Sequence, residues 1–230
     1  MDILAYILLT IYLLTLVIFL ITRVKVGGVA GLITKILPSA TFVIGAIWVL
    51  MTSNNDPLIS GFVTLGLFFG LLGDILLDLK VIYDNDKYYL NGGMLAFSLG
   101  HICYFVSFTQ MSSPSTNFLV ALIVPLAIAG LITSFITLSS KKMNLNFGDY
   151  KIQTIIYTMI LSFMTVYTLI LAIYGMSIIP FIGMFLFFAS DIVLSFQYFG
   201  GKISNKTLIV VNHLLYYLAQ GTILVQILLF

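Results

Sequence analysis

The sequence predicts an all-α membrane protein, a polytopic bundle of eight transmembrane helices, on three observations. Of its 230 residues, 61% are hydrophobic and only 8% are charged, where a soluble domain of this size carries about 25% charged residues. Windows of about 20 mostly apolar residues, enough to cross a bilayer, recur along the whole chain. All ten Lys and Arg fall beside alternate connections between those windows. The apolar runs are too long and too continuous for barrel strands.

The spans read, in order, as 2–21, 31–52, 59–79, 88–109, 117–138, 152–174, 177–198 and 206–228. The first apolar run begins at Ile3 after Met1-Asp2, with no basic leader and no small-residue cleavage signature. It is therefore expected as a retained helix, not a cleaved signal peptide. Val26-Gly27-Gly28 separates spans one and two, and Ser53-Asn54-Asn55-Asp56-Pro57 separates two and three. Tyr83-Asp84-Asn85-Asp86 and Ser112-Ser113-Pro114-Ser115 punctuate the next two connections. Near Gly175 the link is so short that spans six and seven are expected as a tight antiparallel pair. Gly200-Gly201-Lys202 precedes the last span.

Charge tests this division. Arg23, Lys25 and Lys35 flank the first connection, Lys80 and Lys87 the third, Lys141, Lys142 and Lys151 the fifth, and Lys202 and Lys206 the seventh. A wrong span count would scatter them over both faces. The positive-inside rule then makes the odd connections cytoplasmic and puts both termini on the other side. Such a chain is expected in the plasma membrane of a bacterium or the endoplasmic reticulum of a eukaryote. A net charge of +2 without a dense basic stripe argues against nucleic acid. The single Cys103 excludes an intrachain disulfide and a Cys-based zinc cluster, and reads as a packing residue.

Against this apolar background two aspartates stand out. Gly73-Asp74-Ile75-Leu76-Leu77 in span three resembles Ser190-Asp191-Ile192-Val193-Leu194 in span seven, 117 residues later. The following helices also correspond, Gly100-His101-Ile102-Cys103-Tyr104 with Asn212-His213-Leu214-Leu215-Tyr216. One domain, 1–230, built as a four-plus-four parallel repeat with halves 1–115 and 116–230, would follow. At about 1.5 Å per residue, Asp74 lies about 8 Å below its helix end, Asp191 and His213 about 10 Å, and His101 about 20 Å. The two carboxylates and His213 are expected to share a layer that His101 does not reach.

Facing supports an inward orientation. Gly66, Gly70 and Asp74 make a small-residue stripe that admits a neighbouring helix. Asn212, Tyr216 and Gln220, with His213 and Tyr217 alongside, make a polar stripe on span eight, and Phe97, His101, Tyr104 and Phe108 align on span four. Asp78 reads as a solvated residue at the membrane edge. Lys35 reads either as a snorkelling side chain or as a contact for a phosphate.

An ionisable side chain inside a membrane is a functional hypothesis by default. Two carboxylates in a dry pocket cannot both ionise at low cost, so the expected state is one protonated acid beside one carboxylate. That pair equips acid–base hydrolysis without a metal or cofactor, and it equally equips a proton-coupled transporter of a small solute or lipid. A zinc or iron site is disfavoured by the lack of a tight His-x-x-x-His cluster. Neither a Gly-x-Ser-x-Gly elbow nor a nucleotide-binding glycine loop is present.

Four ordered stretches resemble the YhhN family of integral membrane proteins, which includes the vertebrate lysoplasmalogenases. They are Lys35-Ile36-Leu37-Pro38, the run Gly66 to Leu77 around Asp74, the run Asn91 to Tyr104 around His101, and Phe187 to Leu194 around Asp191. Tyr216-Tyr217-Leu218-Ala219-Gln220 is also similar to the family's last helix. This chain has no Glu, unlike typical members. The resemblance implies an eight-span fold and metal-independent hydrolysis of the vinyl ether bond of lysoplasmalogen, giving a fatty aldehyde and a glycerophospho-head group. It implies Asp74 and Asp191 as the catalytic pair. Lys35, His101, Tyr104, Asn212, His213, Tyr216 and Gln220 are the residues expected to orient or bind, with the lysophospholipid's acyl tail among the Phe- and Leu-rich helices.

Overall fold

The computed structural model describes residues 3–83 and 87–229, with side chains from Tyr6 onward. Eight α-helices follow one another: α1 (Ile3–Lys25), α2 (Gly28–Thr52), α3 (Pro57–Ile82), α4 (Lys87–Gln110), α5 (Phe118–Ser139), α6 (Lys151–Ile173), α7 (Ile179–Tyr198) and α8 (Lys206–Leu229). All eight are long and apolar enough to cross a membrane. Among the described residues there is no strand, and one 3-10 turn, Gly148–Tyr150, leads into α6.

Local chemistry sets the ends. Asp56 caps α3 by accepting from the Leu58 N–H at 2.8 Å, with Pro57 at the first helical position, where its missing donor costs nothing. Asn117 caps α5 through the Val120 N–H at 3.3 Å. Between α1 and α2, Gly27 and Gly28 take φ of 68° and 53°, which lets the chain turn back almost at once. The turn expected at Asp84, Asn85 and Asp86 lies outside the described residues. Helix α2 starts three residues before the sequence reading placed it, which puts Lys35 two turns inside the helix.

The chain forms two compact units. Unit 1 runs from the N-terminus to Tyr104 and takes in the turn of α8 from Ile227; unit 2 runs from Phe105 to Gln226. Their boundary falls inside α4.

In unit 1, Tyr12 of α1 packs on Phe42 of α2, with ring centroids 4.7 Å apart. Helices α3 and α4 meet through glycines. A Cβ on Gly66 would lie 2.2 Å from the Tyr104 ring, and one on Gly73 would lie 2.6 Å from the Phe97 ring. On the facing helix, Gly93 meets Leu77 at 2.6 Å and Gly100 meets the Gly66 carbonyl at 3.0 Å. The seam thus repeats every seven residues on both helices and runs antiparallel. The sequence stripe named Gly66 with a four-residue period; Gly73 supplies the second notch against α4. Asn55, after α2, donates its Nδ2 to the Ile227 carbonyl at 2.7 Å.

Unit 2 is organised around α6. Tyr167 stacks on Phe163 at 5.6 Å and packs on Phe105 at 4.9 Å, and its hydroxyl is 2.7 Å from Thr109 Oγ1. Thr165 Oγ1 donates to the Met184 carbonyl of α7 at 3.3 Å. Helices α7 and α8 approach at Gly183, whose absent Cβ would sit 3.0 Å from Ile223 and 3.4 Å from the Ala219 carbonyl. Large apolar side chains such as Leu131 and Phe135 of α5 point outward, as they do when lipid is the solvent.

Candidate functional site

Each unit holds one of the two aspartates in a polar cluster of its own. In unit 1, Asp74 and Asp78 lie one turn apart on α3 and so share a face. Lys35 of α2 reaches both, its Nζ 3.1 Å from Asp74 Oδ1 and 3.2 Å from Asp78 Oδ1. Arg23, in the last turn of α1, holds the other oxygen of Asp78 at 3.1 Å. Ser39 of α2, one turn beyond Lys35, donates its hydroxyl to Asp74 Oδ2 at 2.6 Å. Both oxygens of Asp74 and both of Asp78 therefore accept from a donor. Two cations balance two anions, which is how buried charge is tolerated. Pro38, between Lys35 and Ser39, removes one helical hydrogen bond at this point of α2.

Burial decides two earlier readings. Lys35 is 5% exposed and Asp78 only 1%. Lys35 does not snorkel towards water, and it holds carboxylates where a phosphate contact was one expectation. Asp78 is not a solvated edge residue; Arg23 and Lys35 enclose it. The reason is distance: α3 continues to Ile82, so Asp78 is a full turn inside the helix and Asp74 is eight residues, about 12 Å, from its end.

In unit 2, Asp191 of α7 is half-buried and accepts from the Tyr157 hydroxyl of α6. The neighbouring Ser190 is tied to α8, where Asn212 Nδ2 donates to the Ser190 carbonyl at 2.9 Å and to its Oγ at 3.1 Å. One turn below Asp191, Ser195 Oγ donates to the Asp191 carbonyl at 2.9 Å, and Gln197 Nε2 donates to the Leu208 carbonyl at 3.1 Å. Asp191 is thus flanked by a donor from α6 and by a helix position locked to α8.

The remaining predicted residues fall as follows. The α8 stripe faces α7: Asn212 bonds Ser190, Tyr216 sits edge-on to Phe187 at 5.4 Å, and Gln220 Nε2 donates to the Tyr216 hydroxyl at 2.9 Å. His213 Nδ1 lies 2.7 Å from the Ile209 carbonyl, and His101 Nδ1 lies 2.7 Å from the Phe97 carbonyl. A carbonyl accepts only, so in both rings Nδ1 carries a proton. His101 is buried on α4 next to Tyr104, whose ring fills the Gly66 notch. Within unit 1 the structure brings together Lys35 and Asp74; within unit 2 it aligns Asn212, Tyr216 and Gln220 against the α7 helix that carries Asp191.

Ser39, Tyr157 and Ser190 join these clusters without having been given a role from sequence, while Arg23 was read only as a marker of topology and Asp78 only as a solvated edge residue. Ser39 and Asp78 carried a signal. Lys35 and Ser39 are spaced four apart on α2, as Asp74 and Asp78 are on α3, so one helix face can meet the other. Tyr157 carried none, being one aromatic among many in an apolar span. Among the described residues, no three His, Cys, Asp or Glu side chains converge on a point that could hold a metal ion.

The comparisons with curated proteins and with solved structures each return no match. The model of the YhhN family matches residues 30–227, a stretch that contains both clusters apart from Arg23. Eight membrane-length helices, the two intramembrane aspartates and that match agree, and the chain belongs to the YhhN family.

Proposed function

We propose that this protein is a membrane-embedded ether hydrolase that cleaves the vinyl ether bond of lysoplasmalogen, with Asp191 as the acid and Asp74 as the standing carboxylate. The observation that carries this reading is the difference in how the two aspartates are held. Asp74 receives an ammonium on one oxygen and a hydroxyl on the other, the surroundings of a permanent anion. Asp191 receives a neutral phenol from Tyr157, a partner compatible with gaining and losing a proton in each cycle.

In the reaction, the acid transfers its proton to the β-carbon of the vinyl ether, and the ether oxygen shares the resulting positive charge as an oxocarbenium ion. Steadying that charge is the part given to the standing carboxylate, by analogy with the carboxylates of glycoside hydrolysis. Water adds to the α-carbon and returns a proton to the now-ionised acid. The hemiacetal then collapses to a fatty aldehyde and the free glycerol hydroxyl of the head group. One water is consumed and the acid is regenerated. Asn212, through Ser190, and Tyr157 hold Asp191 in place. The basic connections would face the cytoplasm, and the substrate would enter from the lipid with its tail among the apolar helices.

The test is purified protein in detergent with lysoplasmalogen and detection of released aldehyde. Release that survives a chelator and is lost in Asp74→Asn and in Asp191→Asn, each tested alone, is the expected result. Unchanged turnover in either variant removes that residue from the mechanism. A second reading draws on the alternating chain Arg23–Asp78–Lys35–Asp74, an arrangement suited to relaying protons in a coupled transporter. Solute uptake into proteoliposomes with no aldehyde formed would favour it.

A further inference from the structure

We propose that the lysine-rich end of unit 2 is a seat for anionic phospholipid head groups, independent of any turnover at the aspartates. Two connections build it, residues 140–150 between α5 and α6 and residues 199–205 between α7 and α8. The Asn146 N–H donates to the Phe199 carbonyl at 2.9 Å, and Phe147 packs edge-on against the Phe199 ring at 5.0 Å. Within the longer connection, the Leu145 N–H donates to the Ser140 carbonyl at 2.8 Å and the Tyr150 N–H to the Phe147 carbonyl at 2.9 Å. Leu145 and Phe147 are buried beneath it. The connection is a packed shelf pinned to its neighbour.

Around this shelf Lys141, Lys142, Lys151, Lys202 and Lys206 are all exposed. Asp149 is the one acid in the same two stretches, so five positive charges meet one negative, and half of the chain's ten cations gather here. Lys202 holds its Nζ 5.8 Å above the Phe196 ring, which directs the charge over an aromatic face. Next to the lysines along the helices, large apolar side chains point outward: Leu138 is 82% exposed and Ile152 71%.

The pairing of these two features selects the partner. A soluble polyanion would use the lysines and leave Leu138 and Ile152 bare. A phospholipid uses both, its phosphate against the ammonium groups and its acyl chains along the apolar side chains. Basic side chains beside a membrane surface are drawn to acidic lipids for the same electrostatic reason.

The test is the full chain reconstituted in vesicles of equal parts phosphatidylglycerol and phosphatidylcholine, then extracted in mild detergent, with the retained phospholipid quantified by mass spectrometry. Phosphatidylglycerol is expected to be enriched several-fold. The enrichment is expected to fall to parity in Lys141→Gln/Lys142→Gln/Lys202→Gln and to persist in Lys25→Gln, an exposed cation of unit 1. Helical circular dichroism should be unchanged in both variants, since every substituted side chain is exposed. Equal retention of the two lipids by the unaltered protein overturns the proposal, as does enrichment that survives the triple substitution. Displacement of the bound lipid by free glycerol phosphate would assign the lysines to a soluble anion and overturn it as well.

Discussion

The two aspartates arise from similar sequence, Gly-Asp-Ile-Leu-Leu and Ser-Asp-Ile-Val-Leu, yet their surroundings differ in kind. Asp74 is embedded in a closed electrostatic set with Lys35, Asp78 and Arg23 and is almost wholly buried. Asp191 is half-buried and meets a phenol. One carboxylate is therefore part of what holds α1, α2 and α3 together, while the other sits on α7 and accepts from α6. Equal motifs do not make equal sites; the helices packed against them decide what each acid can do.

The sharpest break in this comparison is Lys35→Met. It strands Asp74 without its cation inside unit 1 and should cost about 3–5 kcal/mol, the usual price of leaving one member of a buried pair alone. Denaturant unfolding in micelles reads it. Asp74→Asn should be far milder in stability, because Lys35 keeps Asp78 at 3.2 Å. Aldehyde release in Asp74→Asn and Asp191→Asn should nonetheless fall at least about 100-fold, the scale of general acid–base contributions. A stable but inactive Asp74→Asn beside an unstable Lys35→Met would separate the acid's chemical part from the lysine's structural one.

Smaller effects sharpen the contrast between helix contacts. Gly73→Ala forces a methyl to within 2.6 Å of the Phe97 ring and should cost about 1–3 kcal/mol by overpacking. Gly183→Ala meets Ile223 Cγ1 at the wider separation of 3.0 Å and should cost less. Smallest of all, Tyr157→Phe removes one neutral donor to Asp191 and should lower stability by about 1 kcal/mol. A Tyr157→Phe loss as large as that of Lys35→Met would erase the distinction between the two clusters.

Much of the fold was legible because lipid imposes a simple rule: every span must be apolar and about 20 residues long, and all eight spans meet it. The α8 stripe of Asn212, Tyr216 and Gln220 was legible for a related reason, since polar residues on an apolar helix must turn toward protein. Lys35 and Asp78 were misread because sequence gives depth only through helix ends, and both α2 and α3 extend three residues beyond the spans assigned to them. Three residues, about 4.5 Å, turn an interfacial charge into a buried one. Tyr157 stayed hidden because nothing in sequence tells a phenol that packs from one that donates. The environment of Asp191 depends on which face of α6 the fold presents, and that is a tertiary fact.

The glycine seam between α3 and α4 acts as a keyed joint. Sliding one helix along the other by a single residue would drive Tyr104 and Phe97 out of their notches at Gly66 and Gly73 and onto Leu65 or Leu67 and Leu72 or Asp74. The notches realign only after seven residues, a travel of about 10 Å. In any motion of the bundle α3 and α4 must therefore move as one piece, so Asp74 travels with the helix that bears His101.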